Sequence, residues 1–433
     1  MTFRFIHFGD THLSRTYPAS IAYDRVSSFN QAFKYVIDKA IDLDVDFIVH
    51  TGDLFDKTTP WPNVVKFTRK QLLRLEEHDI KLFAIRGNHD GSFDTEGALK
   101  GCALDLLESP ELKSFEFIDP VYDLLSKRNS IGYRDYLDSI RIIGIGYFGH
   151  NTMKFLSQYG IHAIDEEKLN ILLLHIFVEG YTQAYKNEPS ISLSYLESLL
   201  NVHYIAVGHD HDAKMPLKLK NGAFIACSGS TEKWDFYESD EKVFYVVEIS
   251  QSGAMHIRRH TIPSPHIVKA VIIKADTPRP AEWFVREAMS RIRELLKENK
   301  KLVLRIRFEG KIPKGEIYDI PLRSLEKFIE RLKASGKILY ADILPPEVEI
   351  KPEDIKSVTR DSVDIRGMIR DILKDEELSK KAFEIFEYSR FLYSDEENLT
   401  RDGNLRDQAY RLLKMKISSI WGLERRLTGV LEV

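Results

Sequence analysis

Short, mostly apolar runs recur through the first part of the chain, at 3–8, 46–50, 80–85, 142–147, 171–175 and 204–208. Runs of that length predict buried strands. Between several of them the apolar spacing turns helical, over 25–43, 62–78, 95–107 and 193–200. After Gly208 the pattern changes to paired strands. Asn221-Gly222 separates 215–220 from 223–227, a strong hairpin signal, and Gln251-Ser252-Gly253 separates 242–250 from 254–260. The pattern predicts an α/β layered domain that ends in a β-meander.

A second unit begins near Ile267. It reads strand 268–274, amphipathic helix 279–298, strand 302–308, helix 322–334 and strand 337–344, a small α+β domain. Pro345-Pro346 opens a linker rich in Pro, Glu and Lys. Beyond Asp364 the pattern is helical, with 378–392 and 404–426 joined by the polar loop 394–398. Ile365, Met368, Ile369 and Ile372 form one apolar stripe, and Phe383, Phe386, Leu392, Leu412, Leu413, Ile417, Ile420 and Trp421 form others. So few helices expose more apolar surface than they easily bury alone. The boundaries expected are 1–264, 265–345, a linker 346–364 and a helical segment 365–433.

The chain has 433 residues, 43% hydrophobic and 11% aromatic, enough for a real core in two to four domains. No apolar run is long enough to cross a bilayer, and the first eight residues read as a strand, not a secretory leader. Two cysteines, Cys102 and Cys227, form neither a disulfide framework nor a thiolate zinc site, which points to a reducing cytoplasmic interior. The net charge is -4, yet between Arg258 and Lys314 fifteen Lys/Arg stand against six acids. A local positive surface on an acidic body suits a polyanion contact.

The polar residues that carry chemistry follow predicted strands. Asp10 and His12 lie in Gly9-Asp10-Thr11-His12, Asp53 in Gly52-Asp53-Leu54-Phe55-Asp56, and Asn88 and His89 in Gly87-Asn88-His89-Asp90. His175 closes a strand, and His209 and His211 lie in Gly208-His209-Asp210-His211-Asp212. In layered α/β folds, ligands collect at the carboxyl ends of strands, so these pieces converge. Carboxylates, imidazoles and one amide oxygen suit first-row divalent ions. Seven candidate ligands exceed what one tetrahedral ion needs, which argues for two ions with Asp53 as the bridge. Two such ions about 3.5–4 Å apart clamp a phosphate for in-line attack.

These motifs, in this order, resemble those of the calcineurin-like metallophosphoesterases. Gly52-Asp53-Leu54-Phe55 and the later element Ser228-Gly229-Ser230-Thr231-Glu232-Lys233-Trp234-Asp235-Phe236 narrow the resemblance to the double-strand-break repair nucleases of the Mre-eleven/SbcD family. The resemblance implies a two-sheet layered core with flanking helices, a small α+β capping domain and C-terminal helices. It also implies that Asp10, His12, Asp53 and His211 hold one ion and that Asp53, Asn88, His175 and His209 hold the other. His89 would assist the leaving 3′ oxygen. Asp56 departs from members that carry histidine there.

The activity implied is manganese-dependent 3′→5′ exonuclease on duplex DNA and endonuclease on single strands, with other divalent ions as substitutes. The capping domain would contact DNA backbone, with Lys300, Lys301, Arg305 and Arg307 as the candidates. The partners implied are a homodimer mate, through helices near 62–78 and 95–107, whose Leu72, Leu75, Leu104 and Leu107 are equally explained as ordinary core, and a Rad-fifty/SbcC-type SMC-like ATPase bound by the terminal helices. The expected setting is nucleoid-associated, without a membrane. Two other readings compete: a phosphatase or cyclic-nucleotide phosphodiesterase acting on small substrates, and a DNA-bridging scaffold with structural metals.

Overall fold

The computed structural model describes residues 2–93, 99–109, 111–183, 188–250, 253–310, 321–344, 347–348 and 376–392. The chain divides into two compact units, Met1–Glu349 and Ile350–Val433. In the second, the described residues form one helix, Glu376–Leu392, over the segment predicted as 378–392. The stripe at 365–372, the loop 394–398 and the helix 404–426 lie outside the described residues.

Two six-stranded sheets build the first part of unit one. The first runs Met255–Ile262, Lys242–Ile249, Phe3–Phe8, Phe47–His50, Lys81–Ala84, Phe115–Phe117 from edge to edge. The second runs Lys214–Lys218, Phe224–Cys227, Tyr204–Gly208, Leu169–His175, Ile140–Ile145, Tyr133–Tyr136. In the first sheet the four strands from Phe3–Phe8 to Phe115–Phe117 are parallel. In the second the four from Phe224–Cys227 to Ile140–Ile145 are parallel. The remaining strands close the edges antiparallel.

Alternate residues along each strand face opposite sides. Phe5, Phe47 and Phe83 of the first sheet therefore meet Ile142, Ile171, Leu173 and Tyr204 of the second in one buried cluster. The Phe5 and Phe47 rings stack at 5.0 Å, and Tyr204 meets Phe5 edge-on at 5.3 Å. Ile6, Phe8, Ile48 and Leu82 face the other way. They pack under Phe29, Phe33, Val36 and Ile37 of helix Ala22–Asp42 and Leu72 and Leu75 of helix Pro62–Glu76. Strands covered on both faces are why the sequence shows near-continuous apolar runs.

Two expectations need correction. The helix predicted over 95–107 is absent among the described residues there. Gly91–Phe93 pairs antiparallel with Leu99–Cys102, and a 3-10 turn, Ala103–Leu106, follows. Cys102, Ala103, Leu104 and Leu107 fill the core beside the first sheet, so tertiary packing overrides the helical spacing. The predicted meander is split, because Phe224–Cys227 joins the second sheet and Lys242–Ile249 the first. Of the two readings left open for Leu72, Leu75, Leu104 and Leu107, the core one holds: all four are buried in this chain's own core, and among the described residues of that region Leu73 and Leu106 are exposed leucines.

The second part of unit one is a third sheet in which His266–Ala275, Lys301–Gly310 and Ile338–Ile343 run parallel. Glu347–Val348 extends it by pairing with Glu309 and Gly310, two residues into the predicted linker. Helices Ala281–Leu295 and Leu322–Ala334 cover one face through Phe284, Ile292, Leu325 and Ile329 against Leu304, Ile306 and Phe308. The opposite face sets Val268 and Val303 against Ile21 and Phe236 of the first part.

Candidate metal centre

Every candidate ligand sits at or just beyond the carboxyl end of a parallel strand. The first sheet delivers Asp10 and His12 after Phe3–Phe8, Asp53 after Phe47–His50, and Asn88 and His89 after Lys81–Ala84. The second delivers His175 as the last residue of Leu169–His175, and His209 and His211 after Tyr204–Gly208. The turns are tight. Asp10, His12, Asp53 and His209 adopt left-handed backbone angles, with φ of 48°, 43°, 54° and 87°. Such angles in non-glycine residues cost free energy and persist where the surroundings fix them, commonly at functional sites. Gly52 has φ +97°, and a Cβ there would lie 2.5 Å from His175 Nδ1; a Cβ on Gly87 would overlap Asp53 Oδ1.

The side chains converge in two groups whose ligand atoms lie within 4.8 Å of one another: Asp10, His12 and His211, and Asp53, His175 and His209. His12 Nε2 and His211 Nε2 stand 3.0 Å apart. Asn88 Oδ1 is 3.0 Å from His175 Nε2. Asp53 Oδ2 lies between the groups, 3.4 Å from His175 Nε2 and 3.8 Å from His12 Nε2. A third group joins His12, Asp56 and His89.

The donor set fits divalent cations. His175 Nδ1 donates to the Thr51 carbonyl at 2.7 Å, and His211 Nδ1 donates to Glu238 Oε1 at 2.9 Å. Each acceptor fixes the tautomer and turns an Nε2 lone pair toward the centre, the usual support of a metal-bound histidine. His209 Nε2 is buried with no hydrogen-bond partner. Burial holds His12 and His209 far below the ordinary imidazole range, to about 4 and about 3, so both rings are neutral. Burial also pushes Asp10 up to about 7. Burial opposes charge on His175 as well, but the adjacent Asp53 carboxylate outweighs it and lifts His175 to about 9, while His175 in turn holds Asp53 well down. A bound cation would take over the work that this shared proton does between Asp53 and His175.

The His89 ring meets that of His12 edge-on at 4.8 Å. The His89 backbone N–H donates to Asp53 Oδ1 at 2.8 Å, and its Nδ1 donates to the Asp56 carbonyl at 3.0 Å, which leaves Nε2 unengaged by that contact. His89 lines a cavity of about 490 Å³ together with Asp53, Asn88, His209, Trp234 and Tyr237. An imidazole beside a phosphate site can donate a proton to a leaving oxygen.

Residues 3–213 match the family model described as calcineurin-like phosphoesterase. This chain carries a calcineurin-like phosphoesterase domain. It is a metal-dependent hydrolase of phosphate esters. It is also similar to three archaeal proteins named "DNA double-strand break repair protein Mre11". The one from Sulfolobus acidocaldarius is 26% identical, with 85% of this chain and 90% of the relative covered. Those from Thermoplasma acidophilum and Saccharolobus solfataricus are each 25% identical, over 89% and 91% of this chain and 94% and 92% of the relative.

Asp90, Arg15 and Glu238 shape this phosphoesterase site but receive no role from the motifs. Asp90 accepts from Leu54 N, Phe55 N and Gly87 N at 3.2, 2.9 and 2.9 Å, tying the second and third ligand loops together. Its place in Gly-Asn-His-Asp was the available signal. Asp56 is turned inward and accepts from Trp234 Nε1 at 2.9 Å, with Arg15 3.5 Å away. Arg15 in turn lies 3.8 Å over the Trp234 ring. Glu238, which holds His211, had no local signal at all.

The four basic candidates divide. Lys300 and Lys301 are exposed where the third sheet's central strand begins. Arg305 and Arg307 lie on the face away from the helices. Arg305 binds Asp342 at 3.0 Å and the Tyr17 hydroxyl at 2.6 Å, and stands 4.5 Å over the Phe236 ring. Arg307 pairs with Glu309 at 3.0 Å. Arg305 thus also ties the third sheet to the phosphoesterase core through Tyr17 and Phe236.

Proposed function

We propose that this phosphoesterase is a two-metal DNA nuclease of double-strand break repair. The observation that supports it most is the pair of facing ligand groups with Asp53 between them and His89 alongside, in a chain similar over most of its length to proteins named for that repair. In this reading Asp10, His12, Asp53 and His211 hold one ion, and Asp53, Asn88, His175 and His209 hold the other. Manganese is the ion proposed. The ions supply Lewis-acid activation of water and neutralise charge on the phosphate.

The chain's own residues do the rest. The neutral rings of His12 and His209 present lone pairs without a proton to displace. Asp90 holds the ligand loops in register. His89 donates a proton toward the leaving 3′ oxygen. Lys300 and Lys301 contact DNA backbone, which positions the duplex without reading sequence. The reading extends to 3′→5′ exonuclease and single-strand endonuclease activity, a homodimer, and an SMC-like ATPase partner bound through the segment that contains helix Glu376–Leu392.

The test is incubation with end-labelled duplex and circular single-stranded DNA in Mn²⁺, Mg²⁺ or EDTA, with p-nitrophenyl phosphate esters alongside. Manganese-dependent cleavage of both DNAs is expected. Turnover of the small esters with intact DNA would overturn the nuclease reading.

A further inference from the structure

We propose that Glu238 is the positioning carboxylate of the Asp10–His12–His211 metal position, which it sets by locking the His211 ring from behind. The proposal rests on the two-ion reading above.

Glu238 accepts five hydrogen bonds. Its Oε1 takes the Nδ1 hydrogen of His211 at 2.9 Å and the backbone N–H of Asp235 at 3.0 Å. Its Oε2 takes Ser230 Oγ at 3.0 Å, the backbone N–H of Trp234 at 3.1 Å and Lys242 Nζ at 2.6 Å. A carboxylate has about four lone-pair sites, so five donors leave none for a metal ion. Glu238 is thus no ligand, and its effect passes through the ring it holds. A carboxylate of this kind only accepts, so Nδ1 carries the hydrogen and Nε2 keeps its lone pair. That Nε2 faces His12 Nε2 at 3.0 Å.

The arrangement is specific to one of the two positions. His175, at the other, is oriented by a backbone carbonyl, Thr51, at 2.7 Å. His211 lies three residues beyond its strand and needs a side-chain anchor. Lys242 supplies the counter-charge. It is 3% exposed and also donates to the His211 carbonyl at 3.1 Å, so it grips the residue from a second side. The same segment reaches the other histidine of that position. Glu238 fixes the Trp234 backbone, the indole donates to Asp56 at 2.9 Å, and Asp56 Oδ1 stands 3.5 Å from His12 Nδ1. That last separation is too long for a well-formed bond, so the firm hold on this position is the one Glu238 makes on His211.

Manganese titration of the full chain without DNA tests the proposal, followed by calorimetry. Removing such an outer partner typically costs about 10–100-fold in metal affinity. Glu238→Gln keeps the shape and removes the charge. One of the two ions should bind about 10–100-fold more weakly and the other unchanged, and lost nuclease activity should return at high Mn²⁺. Should Glu238→Gln unfold, Glu238→Asp keeps the charge but withdraws it from Nδ1, and the same selective loss is expected. Equal weakening of both ions, or no weakening, would show a loop staple and overturn the proposal. A chain that binds two ions but cuts no DNA would sink the nuclease reading alone, whereas a chain that binds no manganese would sink both.

Discussion

Arg305→Ala separates docking from DNA contact on the third sheet. Arg305 is 17% exposed at its side chain and holds Asp342 at 3.0 Å, and its guanidinium lies 4.5 Å over Phe236. A partly screened ion pair contributes about 0–1 kcal/mol and a cation–π contact about 0.5–1 kcal/mol. Their loss, with the bond to Tyr17, predicts destabilisation of about 1–2 kcal/mol and a lower Tm. Binding to DNA should keep its salt dependence. Each lysine or arginine that neutralises a phosphate adds about 0.9 to the slope of log affinity against log salt. The double substitution Lys300→Ala with Lys301→Ala should therefore lower that slope by about 1.8 and leave Tm nearly unchanged. The assays are thermal melting and duplex binding by fluorescence anisotropy across a salt series. An Arg305→Ala chain with native Tm and a slope lowered by about 0.9 would refute the docking assignment.

Other substitutions probe the leaving-group histidine, the inter-sheet core and the second unit. His89→Asn should keep both metal ions and slow DNA cleavage by about 10²–10⁴-fold in single-turnover kinetics, and loss of an ion would make His89 a ligand instead. Phe47→Ala, at a ring stacked between the two sheets, should cost about 3–5 kcal/mol in denaturant unfolding, and a smaller loss would show that the inter-sheet core repacks. A chain cut at Pro352 should keep manganese-dependent nuclease activity and lose co-purification with the ATPase, and full retention of that partner would remove the second unit from its binding.

The parts legible in the sequence are those whose physics is local. Strands covered on both faces write themselves as apolar runs, and Phe3–Phe8 and Tyr204–Gly208 fall where the runs predict. Asp10, His12, Asp53, Asn88, His89, His175, His209 and His211 each stand at a strand end, where a parallel layered fold gathers side chains. What stayed hidden depends on partners far along the chain. Glu238 meets His211 across 27 positions with no spacing rule to announce it. Arg305 reads as one of a basic pair on an exposed strand face until Tyr17, 288 positions away, closes on it. The segment at 99–107 carries helix-like apolar spacing, but Cys102, Ala103, Leu104 and Leu107 are all claimed by the core beside the first sheet.

In the proposed centre, seven side chains hold two divalent ions with Asp53 shared between them. Anomalous scattering at the manganese edge, on crystals of the native chain and of Asp53→Ala, tests it most directly. Two peaks are expected in the native protein, one beside Asp10, His12 and His211 and one beside Asn88, His175 and His209, with loss or disorder of both in Asp53→Ala. Two fully occupied ions in Asp53→Ala would contradict it.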